Sequence, residues 1–155
     1  MNVDLVMSII RAFEQKNVRY KVVGGVALNL LGIVRTTEDL DIFVASDEDN
    51  ISKLKEALQS VFNDPNIEEI MASDLSGDYP AIQYIPPEAN FHIDIISRLG
   101  EAFSFEDIET ERRIVDGVNI SVATAHQLYK MKKDTVRLQD RADAEKLRRY
   151  FDVGE

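Results

Sequence analysis

The chain has 155 residues, 45% of them hydrophobic, which is enough to bury one sizeable core and leads us to expect a single domain over 1–155. With 28 acidic against 18 basic residues and a formal net charge of −10, it excludes a broad basic face that tracks extended nucleic acid. The absence of cysteine excludes a disulfide framework and a thiolate metal site, and the apolar stretches are short and broken by charge, so a cytoplasmic protein without targeting or membrane segment is expected.

Apolar residues at Val3, Val6, Ile10 and Phe13 predict an amphipathic opening helix, and Tyr20 to Val23 a short buried strand stopped by Gly24-Gly25. A helix from Val26 to Leu31 follows, with Gly32 as its C-cap. The run from Glu38 to Val44 predicts a second strand. Ser46 or Asp47 then caps a helix carrying Ile51, Leu54, Leu58 and Phe62, which Asn63 to Asn66 ends. Beyond it we expect antiparallel strands at Ile67 to Met71 and Ala81 to Ile85, and a stronger strand over Phe91 to Ile96. A short helix from Ser104, a hairpin around Asp116-Gly117, and helices over Thr124 to Lys133 and Leu138 to Phe151 complete the chain. The pattern is an α/β (α+β) fold, a short mixed sheet flanked by helices.

The chemistry concentrates at the turn after the first strand and on two later strands. Glycines let a phosphate approach the backbone, and the helix start behind them offers free N–H groups, so Gly24 and Gly25 suit a triphosphate. Residues i and i+2 of a strand share a face, which places Asp39 and Asp41 side by side while Leu40 and Ile42 pack behind. Asp94 lies inside an apolar strand, where a carboxylate needs water, a cation or a donor. Three carboxylates from two neighbouring strands can hold two Mg2+ ions about 3.5–4 Å apart. His92 reads as a packing or hydrogen-bonding residue, because no cysteine or nearby second histidine completes a transition-metal set.

Gly24-Gly25, an intervening helix, Asp39-Leu40-Asp41, and Asp94 in HIDII together resemble the DNA polymerase β-type nucleotidyltransferase superfamily. The string VVGGVALNLLGIVRTTEDLDIFV is similar to small prokaryotic members, including abortive-infection toxins and lincosamide-type nucleotidyltransferases. MKKDTVRLQDRAD resembles the paired C-terminal helices of those groups, with Gln139 and Thr135 departing from the usual lysine and alanine. The resemblance implies that Asp39, Asp41 and Asp94 bind metal and that Asp94 also serves as base for the acceptor hydroxyl. It implies phosphate contacts from Gly24, Gly25 and Lys132, and phosphate or acceptor contacts from Arg35 and Thr36. The implied reaction moves a nucleoside monophosphate, as from ATP, from a magnesium-bound nucleoside triphosphate to an acceptor hydroxyl or phosphate and releases pyrophosphate.

The acceptor stays open between a small molecule and a transfer-RNA or other RNA end, and toxin-antitoxin relatives leave room for a protein partner. Two other classes compete: a non-catalytic or antitoxin-like module that keeps the fold, against which the intact acids argue, and a metal-dependent phosphoester hydrolase. At the C-terminus, Arg137 and Asp140 stand at the spacing of an ion pair on a helix surface, while Asp143 has no assigned role.

Overall fold

The computed structural model describes residues 3–34, 36–76, 80–87, 90–99, 103–132 and 138–151. Helix α1 (Val3–Gln15) buries Ile9, Ile10 and Phe13 completely, as its apolar spacing predicts. Strand β1 (Tyr20–Val23) leads directly into α2 (Gly24–Leu30), so both glycines belong to the helix rather than preceding it. Gly32, at φ +97°, ends α2, and the Ile33 amide donates to Leu28 O at 2.9 Å. Strand β2 spans Asp39–Val44 and α3 spans Glu48–Phe62. Asp47 is the α3 cap, accepting from the Asn50 amide at 3.1 Å, and Asn63 closes the helix in the left-handed region.

The expected strand at Ile67 to Met71 is instead a 3-10 turn over Pro65–Glu69, followed by a second over Ala72–Leu75. Pro65 has no amide to offer a ladder, and the Asp64 carboxylate takes the Asn66 amide at 3.1 Å. Ile67 and Ile70 then bury on one side while Met71 stays 59% exposed, a period of three rather than two.

Strands β3 (Ala81–Tyr84) and β4 (His92–Ile96) follow, then a small pair, β5 (Arg98–Leu99) with β6 (Phe103–Ser104). The expected helix from Ser104 is only a 3-10 turn, Phe105–Asp107, held by Asp107 accepting from the Ser104 hydroxyl at 2.7 Å. Strands β7 (Thr110–Val115) and β8 (Val118–Ala123) form the expected hairpin, with Asp116 and Gly117 both at positive φ. Helices α4 (Ala125–Lys132) and α5 (Leu138–Phe151) pack on each other.

The main sheet has six strands in the order β3-β4-β2-β1-β8-β7. β2 runs parallel to β4 and antiparallel to β1, and β1 runs parallel to β8. One face carries Tyr20, Val22, Leu40, Ile42, Ile93 and Ile95, all buried. α1 reaches it through Phe13 against Tyr20, and α3 through Phe62 against Tyr84. Each fully buried side chain of this size contributes about 1.5–3 kcal/mol. The other face carries Lys21, Val23, Asp39, Asp41, His92 and Asp94, so the packed face anchors the strands that display the acids. No helix among the described residues is long and apolar enough to cross a membrane.

Candidate active site

Local bonds fix where β2 begins. The Thr37 hydroxyl donates to Asp39 O at 3.1 Å and accepts from the Asp39 amide at 3.3 Å, and the His92 amide donates to Glu38 O at 3.3 Å. From that start the ladder aligns Asp39 with His92 and Asp41 with Asp94, while Asp41 also faces Val23 on β1. Gln83 flanks Asp94 from β3.

Asp39, Asp41 and Asp94 all line a cavity of about 270 Å³ at the end of β1, together with Gly24 and, from α4, Leu128 and Met131. All three acids are half-buried. Within this cavity the acids divide. Ligand atoms of Asp39, His92 and Asp94 all lie within 4.8 Å of one another, with His92 Nε2 2.9 Å from Asp39 Oδ1 and 3.4 Å from Asp94 Oδ2. Asp41 instead turns toward the glycine turn. A methyl group on Gly24 would stand 2.0 Å from Asp41 Oδ2, and Gly24 holds φ +69°, so a side chain is excluded there twice over. The donor set is hard carboxylate oxygen plus one imidazole nitrogen, a chemistry that fits a divalent cation.

Of the remaining expected site residues, Gly25 is buried in the first turn of α2 and Thr36 is exposed ahead of β2. Lys132 closes α4, but its side chain, like all of Arg35, lies outside the described residues. So do Arg137 and the side chain of Asp140, whereas Asp143 is completely buried in α5.

Two residues gain weight that the sequence did not suggest. His92 stands among the acids because β4 pairs parallel with β2; its spacing from Asp94 was visible, its register against Asp39 was not. Lys21, on the same sheet face, donates to Ile108 O at 3.0 Å and to Phe105 O, with its ammonium 4.2 Å from the Phe105 ring centre. It thereby ties β1 to the turn following β6, whose partner strand β5 supplies Leu99 to the cavity wall. Burial pushes the Lys21 ammonium below its ordinary range, against the pull of Glu106 and Asp107.

A larger groove, of about 740 Å³, opens between α3 and the turns after it, lined among others by Lys16, Lys55 and Glu68. Lys55 already pairs with Glu68 at 3.6 Å, and none of the clustered acids reaches this groove. The smaller acidic cavity is the candidate site.

The family described as nucleotidyl transferase AbiEii toxin, type IV toxin-antitoxin system, matches residues 11–154 of the chain. No curated protein matches it. Among solved structures, ANT(2'')-Ia in complex with adenylyl-2''-tobramycin is similar at a TM-score of 0.58 and 12% identity, over 96% of this chain and 88% of that one. A nucleotidyltransferase-like protein from Paracoccidioides brasiliensis gives 0.55 and 14% over 92% and 74%. A proposed nucleotidyltransferase from Thermotoga maritima gives 0.53 and 15% over 97% and 92%. At these identities the likeness concerns the fold, which is that of nucleotidyltransferases.

Proposed function

The chain belongs to the AbiEii family of nucleotidyl transferase toxins, and from that premise we propose that it transfers a nucleoside monophosphate from a nucleoside triphosphate to a compact acceptor. The observation that carries this reading is the set of three acids, Asp39, Asp41 and Asp94, converging on one cavity beside Gly24. In this reading Asp39, Asp41 and Asp94 hold divalent ions, which when bound neutralise the triphosphate and the departing pyrophosphate. Gly24 and Gly25 admit the phosphates close to the backbone, and Lys132, Arg35 and Thr36 supply further contacts to the phosphates or the acceptor.

An acceptor oxygen attacks the α-phosphorus, the bond between the α-phosphorus and its bridging oxygen breaks, and pyrophosphate leaves. The acceptor proton passes to an Asp94 carboxylate oxygen. Leu128 and Met131 wall the cavity on the helix side and limit water around the attacking group.

The acceptor class follows from charge. Contacts to many phosphates need many cations, and a net charge of −10 leaves few, so a small hydroxyl compound or one RNA end is favoured over extended RNA. The neighbour that holds adenylyl-2''-tobramycin makes an aminoglycoside one sensible arm of the test. Membership in a toxin family similarly motivates a search for an antitoxin partner. Incubation with labelled nucleoside triphosphates and pools of small hydroxyl compounds or RNA, followed by mass measurement, should reveal an acceptor heavier by one nucleotide. Pyrophosphate or phosphate release with no modified acceptor in any pool would favour a hydrolase instead.

A further inference from the structure

We propose that His92 is itself a metal ligand, and that the Asp39–His92–Asp94 cluster favours a first-row transition ion such as Mn2+ over Mg2+; this rests on the metal-binding reading above. Two ligands about 2.0–2.2 Å from one ion stand about 2.8–3.6 Å apart, between the right-angle and tetrahedral arrangements. His92 Nε2 lies 2.9 Å from Asp39 Oδ1 and 3.4 Å from Asp94 Oδ2, within that span on both sides. One imidazole N–H cannot point squarely at both carboxylates, whereas a cation beside the ring nitrogen can be shared by the three ligand atoms, which lie within 4.8 Å of one another.

The register makes the arrangement stiff. His92 sits directly opposite Asp39 in a parallel ladder, Asp94 two residues further on the same face, and Ile93 and Ile95 anchor the reverse side with no exposure. Asp41 belongs to the same cavity but turns its carboxylate toward Gly24, which leaves His92 as the third member of the tight cluster. Mg2+ prefers oxygen ligands and keeps its waters, while an imidazole adds affinity for the first-row transition ions, least for Mn2+, which shares the hard carboxylate preference of Mg2+, and more for the later ions of the row.

The probe is Mn2+ added to the full chain, observed by pulsed electron paramagnetic resonance, which detects directly coordinated nitrogen. The chain has 2 histidines, so His126 on α4 is the internal control. Bound Mn2+ should show a nitrogen-14 signal that is replaced by nitrogen-15 when histidine is isotopically labelled. The signal should persist in His126→Gln and vanish in His92→Gln. Competition with Mg2+ should show at least a tenfold loss of Mn2+ preference in His92→Gln. Tight Mn2+ binding, weakened by Asp39→Asn but without a histidine nitrogen signal in the labelled parent chain, would overturn the role of His92 and leave the carboxylate site standing. Failure of the parent chain to bind either ion, with or without a nucleoside triphosphate, would overturn both readings. The labelled parent chain decides the matter even if His92→Gln does not fold.

Discussion

A side chain at Gly24 would collide with Asp41 and strain a left-handed backbone, whereas a Cβ added to Gly32, also at positive φ, would meet open space. The two glycines therefore separate strain from contact. Gly32→Ala should cost about 1–2 kcal/mol in urea unfolding, the penalty for a left-handed residue alone, and leave nucleotide transfer intact. Gly24→Ala should cost more and abolish transfer, because Asp41 must move. Equal losses of stability in the two variants would show that the Asp41 contact carries no weight. Among the acids, Asp41→Asn and Asp94→Asn should each remove transfer while metal-free thermal stability holds or rises, since clustered carboxylates repel one another without a cation. Loss of cooperative unfolding in either variant would mark that aspartate as structural.

Helix α3 supports the acid-bearing sheet from behind, and two of its N-terminal residues tie it to Arg19, just ahead of β1, and to Ala45, just past β2. Asp47 accepts from the Asn50 amide and pairs with Arg19, while Asn50, buried, donates to Ala45 O at 2.7 Å and to Arg19 O at 3.0 Å. The Asn50 amide, with help from Arg19, holds the Asp47 carboxyl below its usual range. The folded state therefore keeps the anion where the unfolded chain would take a proton. This stabilisation is complete above the ordinary carboxylate range and is lost as pH falls through the lower folded value. Asp47→Ala should cost about 1 kcal/mol at neutral pH, mostly from the lost cap, and the gap from the parent should narrow in acid. A gap independent of pH would mean that the charge is irrelevant. The element after α3 shows why local reading fails there. The window Ile67 to Met71 is too short to fix a period, and Pro65 and the Asp64 carboxylate stabilise a turn there, with Ile67 and Ile70 three apart on its buried side.

At the scale of the molecule, metal, nucleotide and protein close one site together. A nucleoside triphosphate with Mg2+ or Mn2+ should raise Tm more than either component alone, as expected when only the folded chain brings the acids together. Equal shifts with nucleotide in the presence and absence of metal would refute the bridged site. The net charge of −10 further predicts weak binding to long RNA with a shallow dependence on salt. Tight, steeply salt-dependent binding to RNA of any sequence, measured at two ionic strengths, would overturn the compact-acceptor reading.

The alternation of Asp39-Leu40-Asp41-Ile42 and of His92-Ile93-Asp94-Ile95 by itself determined which residues leave the core, because a strand's period of two assigns faces without reference to any partner. The glycine pair ending a buried strand likewise marked the turn at the site. The neighbourhood of the two acid-bearing strands came from the resemblance, and what only the tertiary structure decided was their direction and register. That β4 lies parallel beside β2, that Asp41 meets Asp94, and that His92 therefore meets Asp39 depend on pairing strands far apart in the chain. Such pairing is selected by the whole core, through the fit of α1 and α3 against one face of the sheet, and no local pattern of residues encodes its register.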